Sequence, residues 1–335
     1  MKNLKQTLQQ FFIVLVVISC SSDENIPYVG ERIAQIVAES QNPAEGGTPS
    51  LEDLGNAGVQ NATGDQERYE IAIANADPAP TTLTELQDIV NDVNGGQAYL
   101  GNTQLVWSDE FETPGSPSDA KWTYDIGTNN GWGNGESQHY TSREDNVVIE
   151  DGILKIKAKR ENFEGSNYTS ARIKTQNRYD FTYGKVEVRA KLPSSAGTWP
   201  AIWMLGTNIT SVGWPNCGEI DIMEQKGWDK SKVSAALHNQ SSFGNTVNYR
   251  EVSVPNSTSS FHVYSVNWTP DEISFAIDND VYYTYSPSSQ TQANWPYDSP
   301  QFIILNVAMG GSLGGDIPNN FSESIMEIDY VRVYR

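Results

Sequence analysis

The chain has 335 residues, enough to bury a large core in one or two domains. Its net charge of −20 argues against nucleic acid, whose phosphates need Lys and Arg, and disfavours a heavily sulfated polysaccharide. The excess is uneven: residues 21–100 hold 14 Asp and Glu against two Arg and no Lys, whereas all nine Trp lie after residue 100.

Lys2 and Lys5 precede the apolar run Phe11–Ile18. Eight such residues fall far short of the ~20 that span a bilayer, so residues 1–19 read as an export signal. Val17-Ile18-Ser19-Cys20 resembles a bacterial lipobox, which implies cleavage before Cys20 and lipid on its sulfur and amine. Ser21-Ser22-Asp23-Glu24 is similar to the acidic tether of surface lipoproteins. The expectation is an exported bacterial lipoprotein of the outer membrane, exposed at the cell surface and anchored through Cys20.

Residues 20–49, ending in Asn42-Pro43-Ala44-Glu45-Gly46-Gly47, read as a flexible linker with at most one or two helical turns at Ile33–Ala38. Residues 50–96 read as a small helical spacer module. Ser50 caps Leu51–Leu54, Glu67–Ala76 is helical in composition, and Leu83, Leu86, Ile89 and Val90 recur at the helical period. Gly95-Gly96 marks the boundary to a large domain over 101–335.

From Leu105 the pattern is β. Leu154, Ile156 and Ala158 alternate with Lys155, Lys157 and Lys159, and Val186, Val188 and Ala190 alternate with charged residues. Ile273, Phe275 and Ile277 repeat this, and Phe302–Met309 is an unbroken apolar run suited to a central strand. Short strands with no long helix between them indicate an all-β sandwich or barrel.

Gly218-Glu219-Ile220-Asp221-Ile222-Met223-Glu224 sets three carboxylates within six residues. On a strand Glu219 and Asp221 share a face, and one extra residue at Ile222-Met223, a β-bulge, turns Glu224 onto it as well. Crowded acids repel, so their pKa values separate, and one stays ionised while another keeps a proton. Two carboxyls roughly 5–5.5 Å apart are what a retaining glycosidase requires. A solvated acidic edge is the bland alternative. With only Cys20 and Cys217 there is no disulfide framework, and Cys217 reads as a packing residue.

Glu219–Glu224 resembles the bulged signature of glycoside hydrolase family 16. The resemblance extends over roughly 103–335 through Trp107–Phe111, Gly131–Glu136, Tyr168–Ile173, Gly184–Ala190, Gly197–Met204 and Ile328–Tyr334. It implies a β-jelly roll of two curved antiparallel sheets, concanavalin A-like, with a groove along the concave face. It assigns Glu219 as nucleophile, Glu224 as general acid/base and Asp221 as helper between them. It places Trp199 and Trp203 as walls beside the reacting sugar, and Arg172, with Trp132, Asn134 and Glu136 of a Gly-rich loop, around the groove. His238, on the next strand, is expected beside the acid/base, while His139 and His262 read as structural. Glu112 and Gly152, through backbone oxygens, and Asp329, through its carboxylate, resemble a structural calcium site, with a surface salt bridge of Asp329 as the alternative. Catalysis needs no cofactor on this reading.

The resemblance favours an endo-acting β-1,3-glucanase on laminarin-like, neutral β-glucan. A mixed-linkage β-1,3/1,4-glucanase and an agarase or carrageenase type are the enzyme alternatives. A glucan-binding protein is the non-enzyme one, against which the three retained acids speak. Transglycosylation differs only in what intercepts the glycosyl-enzyme. Leu313, in Gly310-Gly311-Ser312-Leu313-Gly314-Gly315, departs from relatives that carry Trp there. Nothing in the sequence indicates an oligomer, so a monomer is expected.

Overall fold

The computed structural model describes residues 104–335 without a break and, before them, residues 26–41, 80–94 and positions 54, 55, 57, 59, 69 and 73. The leader, Cys20 and most of the helices expected at Leu51–Leu54 and Glu67–Ala76 lie outside the described residues. The chain divides into two compact units, Met1–Gly96 and Gln97–Arg335.

In the first unit, helix Ile26–Gln41 packs with helix Leu83–Asn94. The second of these was expected; the first is longer than the one or two turns expected at Ile33–Ala38. Ile33 and Ile36 bury almost completely, and the Ser40 hydroxyl donates to the Ile36 carbonyl one turn back. An apolar stripe at three-residue spacing thus holds a helix that its polar composition disguised. Leu54, Tyr69, Ile73, Leu86 and Val90 are buried with them. Glu85 accepts from the backbone N–H groups of Thr81 and Thr82 at 2.8 and 3.0 Å, capping the second helix. Among the described residues no helix is long and apolar enough to cross a membrane.

The second unit is two facing sheets, the expected jelly roll. One has ten strands, antiparallel except where Gln138–Tyr140 runs parallel to Ser166–Ser170. The other has seven, all antiparallel, in the order Tyr249–Ser253, Lys232–His238, Glu219–Glu224, Thr198–Gly206, Gln301–Met309, Arg172–Lys174, Thr123–Asp125. The core between them takes Val186, Val188 and Ala190 from the large sheet and Ile202, Met204, Ile220, Leu237, Ile303 and Leu305 from the small one. Each such side chain contributes about 1.5–3 kcal/mol on burial. Gln301–Met309 is buried along its whole length between two neighbours, as its unbroken apolar run implied. Strict alternation then leaves the outer face of the small sheet to Trp203, Asp221, Glu219 and Asn306.

Candidate active site

The strand Glu219–Glu224 lies between Thr198–Gly206 and Lys232–His238. Against the first, Asp221 pairs with Trp203 and Met223 with Ile202, so Ile222 has no partner. Against the second, Asp221 pairs with Ala236 and Glu224 with Ser234, three steps on one strand for two on the other. This is the expected bulge. Ile220, Ile222 and Met223 all join the core, and the three acids turn to the opposite face.

Two indoles grip the outer carboxylates. Trp199 Nε1 donates to Glu224 at 3.0 Å, and Trp214 Nε1 donates to Glu219 at 3.0 Å. His238 Nε2 is 3.2 Å from Asp221 and 3.7 Å from Glu219. His238 was expected beside the acid/base Glu224; antiparallel pairing sets it opposite Glu219 instead, at the other end of the strand.

Burial pushes each of the three carboxyls above the ordinary carboxylate range, to about 8. For Glu219 and Glu224 the next cause is repulsion by Asp221, and His238 draws both back down. Ionising one acid makes ionising the next harder, so the trio retains a proton near neutral pH. A carboxylate and a carboxylic acid side by side are the two forms that acid-assisted nucleophilic attack consumes.

Beyond the acids, the guanidinium of Arg172 lies between two indoles, 4.6 Å from the Trp203 ring and 5.0 Å from the Trp132 ring. Its Nε is 2.9 Å from Asp125, an ion pair off the N–H direction. Trp203 Nε1 donates to Asn306 at 2.8 Å, and Asn306 donates to the Tyr140 hydroxyl at 3.1 Å. That hydroxyl donates to Glu136, which also accepts from Gln138 at 2.7 Å and from Asn134 at 3.2 Å. Trp132, Asn134, Glu136, Arg172 and Trp203 therefore form one connected wall, with Glu136 holding its own loop. Trp214, Asp125, Tyr140 and Asn306 were not singled out from the sequence. Trp214 had a signal, an aromatic five residues before Glu219; the others are joined only by long-range pairing.

Cys217 is fully buried, and burial followed by the nearby Glu219 pushes its thiol up to about 11, which suits packing and not reactivity. His262 pairs with Asp278 at 2.6 Å and His139 lies 3.6 Å from Glu164, both away from the acids.

Of the calcium candidates, Asp329 lies on a strand of the large sheet, and Glu112 and Gly152 lie just beyond the ends of strands that pair with it. Strand Glu323–Tyr334 pairs on one side with Ile153–Phe163 as far as Ile328–Leu154, and resumes with Leu105–Asp109 at Val331–Asp109. Asp329 falls in the gap, where one partner strand exits toward Glu112 and the other enters from Gly152. Its carboxylate forms an ion pair with Arg189. Among the described residues, the one group of three acidic, histidine or cysteine ligands near enough to share an ion is Glu219, Asp221 and His238.

Residues 134–332 match glycosyl hydrolases family 16. A beta-glucanase of Rhodothermus marinus is 43% identical over 245 residues, spanning 69% of this chain and 85% of that protein. Glucan endo-1,3-beta-glucosidase A1 of Niallia circulans is 35% identical over 293 residues, 78% of this chain and 42% of that protein. The crystal structure of laminarinase from Flavobacterium sp. UMI-01 superposes with a TM-score of 0.66 at 43% identity, covering 69% of this chain and all of that one. With three carboxyls on a bulged strand of a jelly roll, and relatives of this closeness, the chain belongs to glycosyl hydrolases family 16.

Proposed function

We propose that the chain is a retaining endo-β-1,3-glucanase acting on internal bonds of laminarin-like β-glucan. The observation that carries this is the bulge, which puts Glu219 and Glu224 on one face with Asp221 between them. Glu224, kept protonated by burial and by Asp221, gives its proton to the glycosidic oxygen. Glu219 attacks the anomeric carbon and forms a glycosyl-enzyme. Glu224, now a base, takes a proton from the water that releases the sugar. The Trp214 N–H holds Glu219 and the Trp199 N–H holds Glu224. Trp203, Trp132 and Arg172 offer stacked surfaces to the sugar, and Asn134 donors to its hydroxyls.

A second reading is favoured by one relative. A non-specific endo-beta-1,3(4)-glucanase is 39% identical in structural superposition, so mixed-linkage glucan is the alternative substrate. Incubation with laminarin, lichenan, agarose and carrageenan, followed by product sizing, separates these. Internal cuts in laminarin are expected; products from agarose alone would refute the assignment.

We further propose that the protein is an exported lipoprotein held to the outer membrane through Cys20, and that it works as a monomer. A structural calcium held by Asp329 with backbone oxygens near Glu112 and Gly152 also belongs to this proposal. Oxygen donors of that mixed kind suit calcium, and the ion would have to draw Asp329 away from Arg189.

A further inference from the structure

We infer that Trp228 is the stacking surface of an additional sugar subsite, on the rim beside Glu224 and outside the reacting pair. This rests on the glucanase assignment above and extends it to a residue that assignment does not use. Trp228 is 59% exposed, the most open of the large aromatic residues among the described residues, and follows Glu224 by four residues. Its Cα therefore lies within about 14 Å of the proton-donating residue along the chain.

The ring is exposed and yet held. Gly227 donates its N–H to the Leu313 carbonyl at 2.7 Å, and a Cβ on Gly227 would meet the Gly314 carbonyl oxygen at 1.8 Å. On Gly315, whose φ is +66°, a Cβ would meet Trp228 Cε3 at 2.8 Å. The six-membered ring of Trp228 thus rests on backbone that no side chain could share. The same turn continues to the wall of the groove: Ser312 donates its N–H to the Asn134 carbonyl at 3.1 Å, and Gly310 bridges to Glu136. On its other flank, Gly310 donates to the Gly197 carbonyl at 2.9 Å, two residues before Trp199. An apolar plane fixed in place at the edge of a polar groove suits the apolar face of a pyranose. Leu313, in the turn beneath, supplies no flat surface of its own, so Trp228 is the aromatic that this rim offers.

The test compares wild type, Trp228→Ala and Trp228→Phe on a polysaccharide and on the shortest oligosaccharide that is cleaved. The polysaccharide is whichever of laminarin, lichenan, agarose and carrageenan the wild type cuts. Trp228→Ala is expected to raise KM for the long chain roughly three- to tenfold with kcat nearly constant, as loss of one aromatic contact would. The penalty disappears on the short substrate, and Trp228→Phe recovers most of the affinity. An unchanged KM on the long chain overturns the inference, and so does an equal loss on both substrates, which marks a structural role. Wild type that cuts only agarose overturns the glucanase assignment, while the Trp228 comparison is still read on agarose.

Discussion

Replacing Glu224 with Gln removes a carboxyl that the fold holds at a cost, and the cost has a definite pH dependence. The group moves from 4.5 to about 8 on folding, mainly because it is buried and next because Asp221 is near. Below pH 4.5 it is protonated in both folded and unfolded chains and contributes no difference. As pH rises through 4.5 toward 8 the unfolded chain ionises freely and the folded one cannot, so the fold loses stability across that window. At 1.36 kcal/mol per pH unit, an isolated group would lose up to about 5 kcal/mol by pH 8.5. Three acids share the burden, so about 1–3 kcal/mol is expected for one of them. Glu224→Gln keeps the oxygen that accepts from Trp199 and lifts this cost. Relative to wild type its Tm should rise by roughly 3–10 °C at pH 8.5 and by little at pH 4.5. Thermal unfolding followed by circular dichroism at both pH values measures this. A difference in Tm that is the same at the two pH values, or larger at the lower one, would refute the reasoning.

Glu219→Gln should lower kcat by on the order of 10³ or more while binding to glucan persists, measured by single-turnover kinetics and by retention on the polysaccharide; near-full activity would reassign the nucleophile. Activity should fall as pH rises through about 8, where Glu224, the proposed general acid, loses its proton. Asp221→Asn should move that alkaline limb to lower pH, because the repulsion of Asp221 helps to hold the proton; a stationary limb in the pH–rate profile counts against this coupling. EDTA should lower Tm by several degrees in wild type and leave Asp329→Ala unmoved, with calcium restoring the loss; a chelator-insensitive Tm in wild type removes the calcium proposal.

The bulge was legible because Glu224 stands at odd spacing from Glu219 while everything between Glu219, Asp221 and Glu224 is apolar, a conflict that one unpaired residue resolves. The strands at 154–158, 186–190 and 302–309 were legible because their alternation, or its absence, mirrors how many faces are buried. Helix Ile26–Gln41 was not, since its polar composition, with Gln35 and Glu39 hydrogen-bonded to each other on the open side, masks the buried Ile33 and Ile36. The position of His238 depends on register: one strand earlier in the hairpin would pair it elsewhere, and nothing local in Ala235–His238 fixes that. The Arg172–Asp125 pair and the Tyr140–Asn306 contact join residues far apart in the chain, which single-sequence periodicity does not encode.

The loops around 134, 197, 227 and 313 are joined by main-chain hydrogen bonds, with Gly197 and Gly227 where a methyl would collide with neighbouring backbone. Such a seam has no side-chain slack to take up movement. That border of the cleft would then keep its shape as a polymer arrives and leaves, so long chains must be admitted from above or by sliding, not by the opening of a flap there. Lengthening one of these segments alone would unseat the others, and transplanting the specificity of this rim into a relative requires moving all of them together.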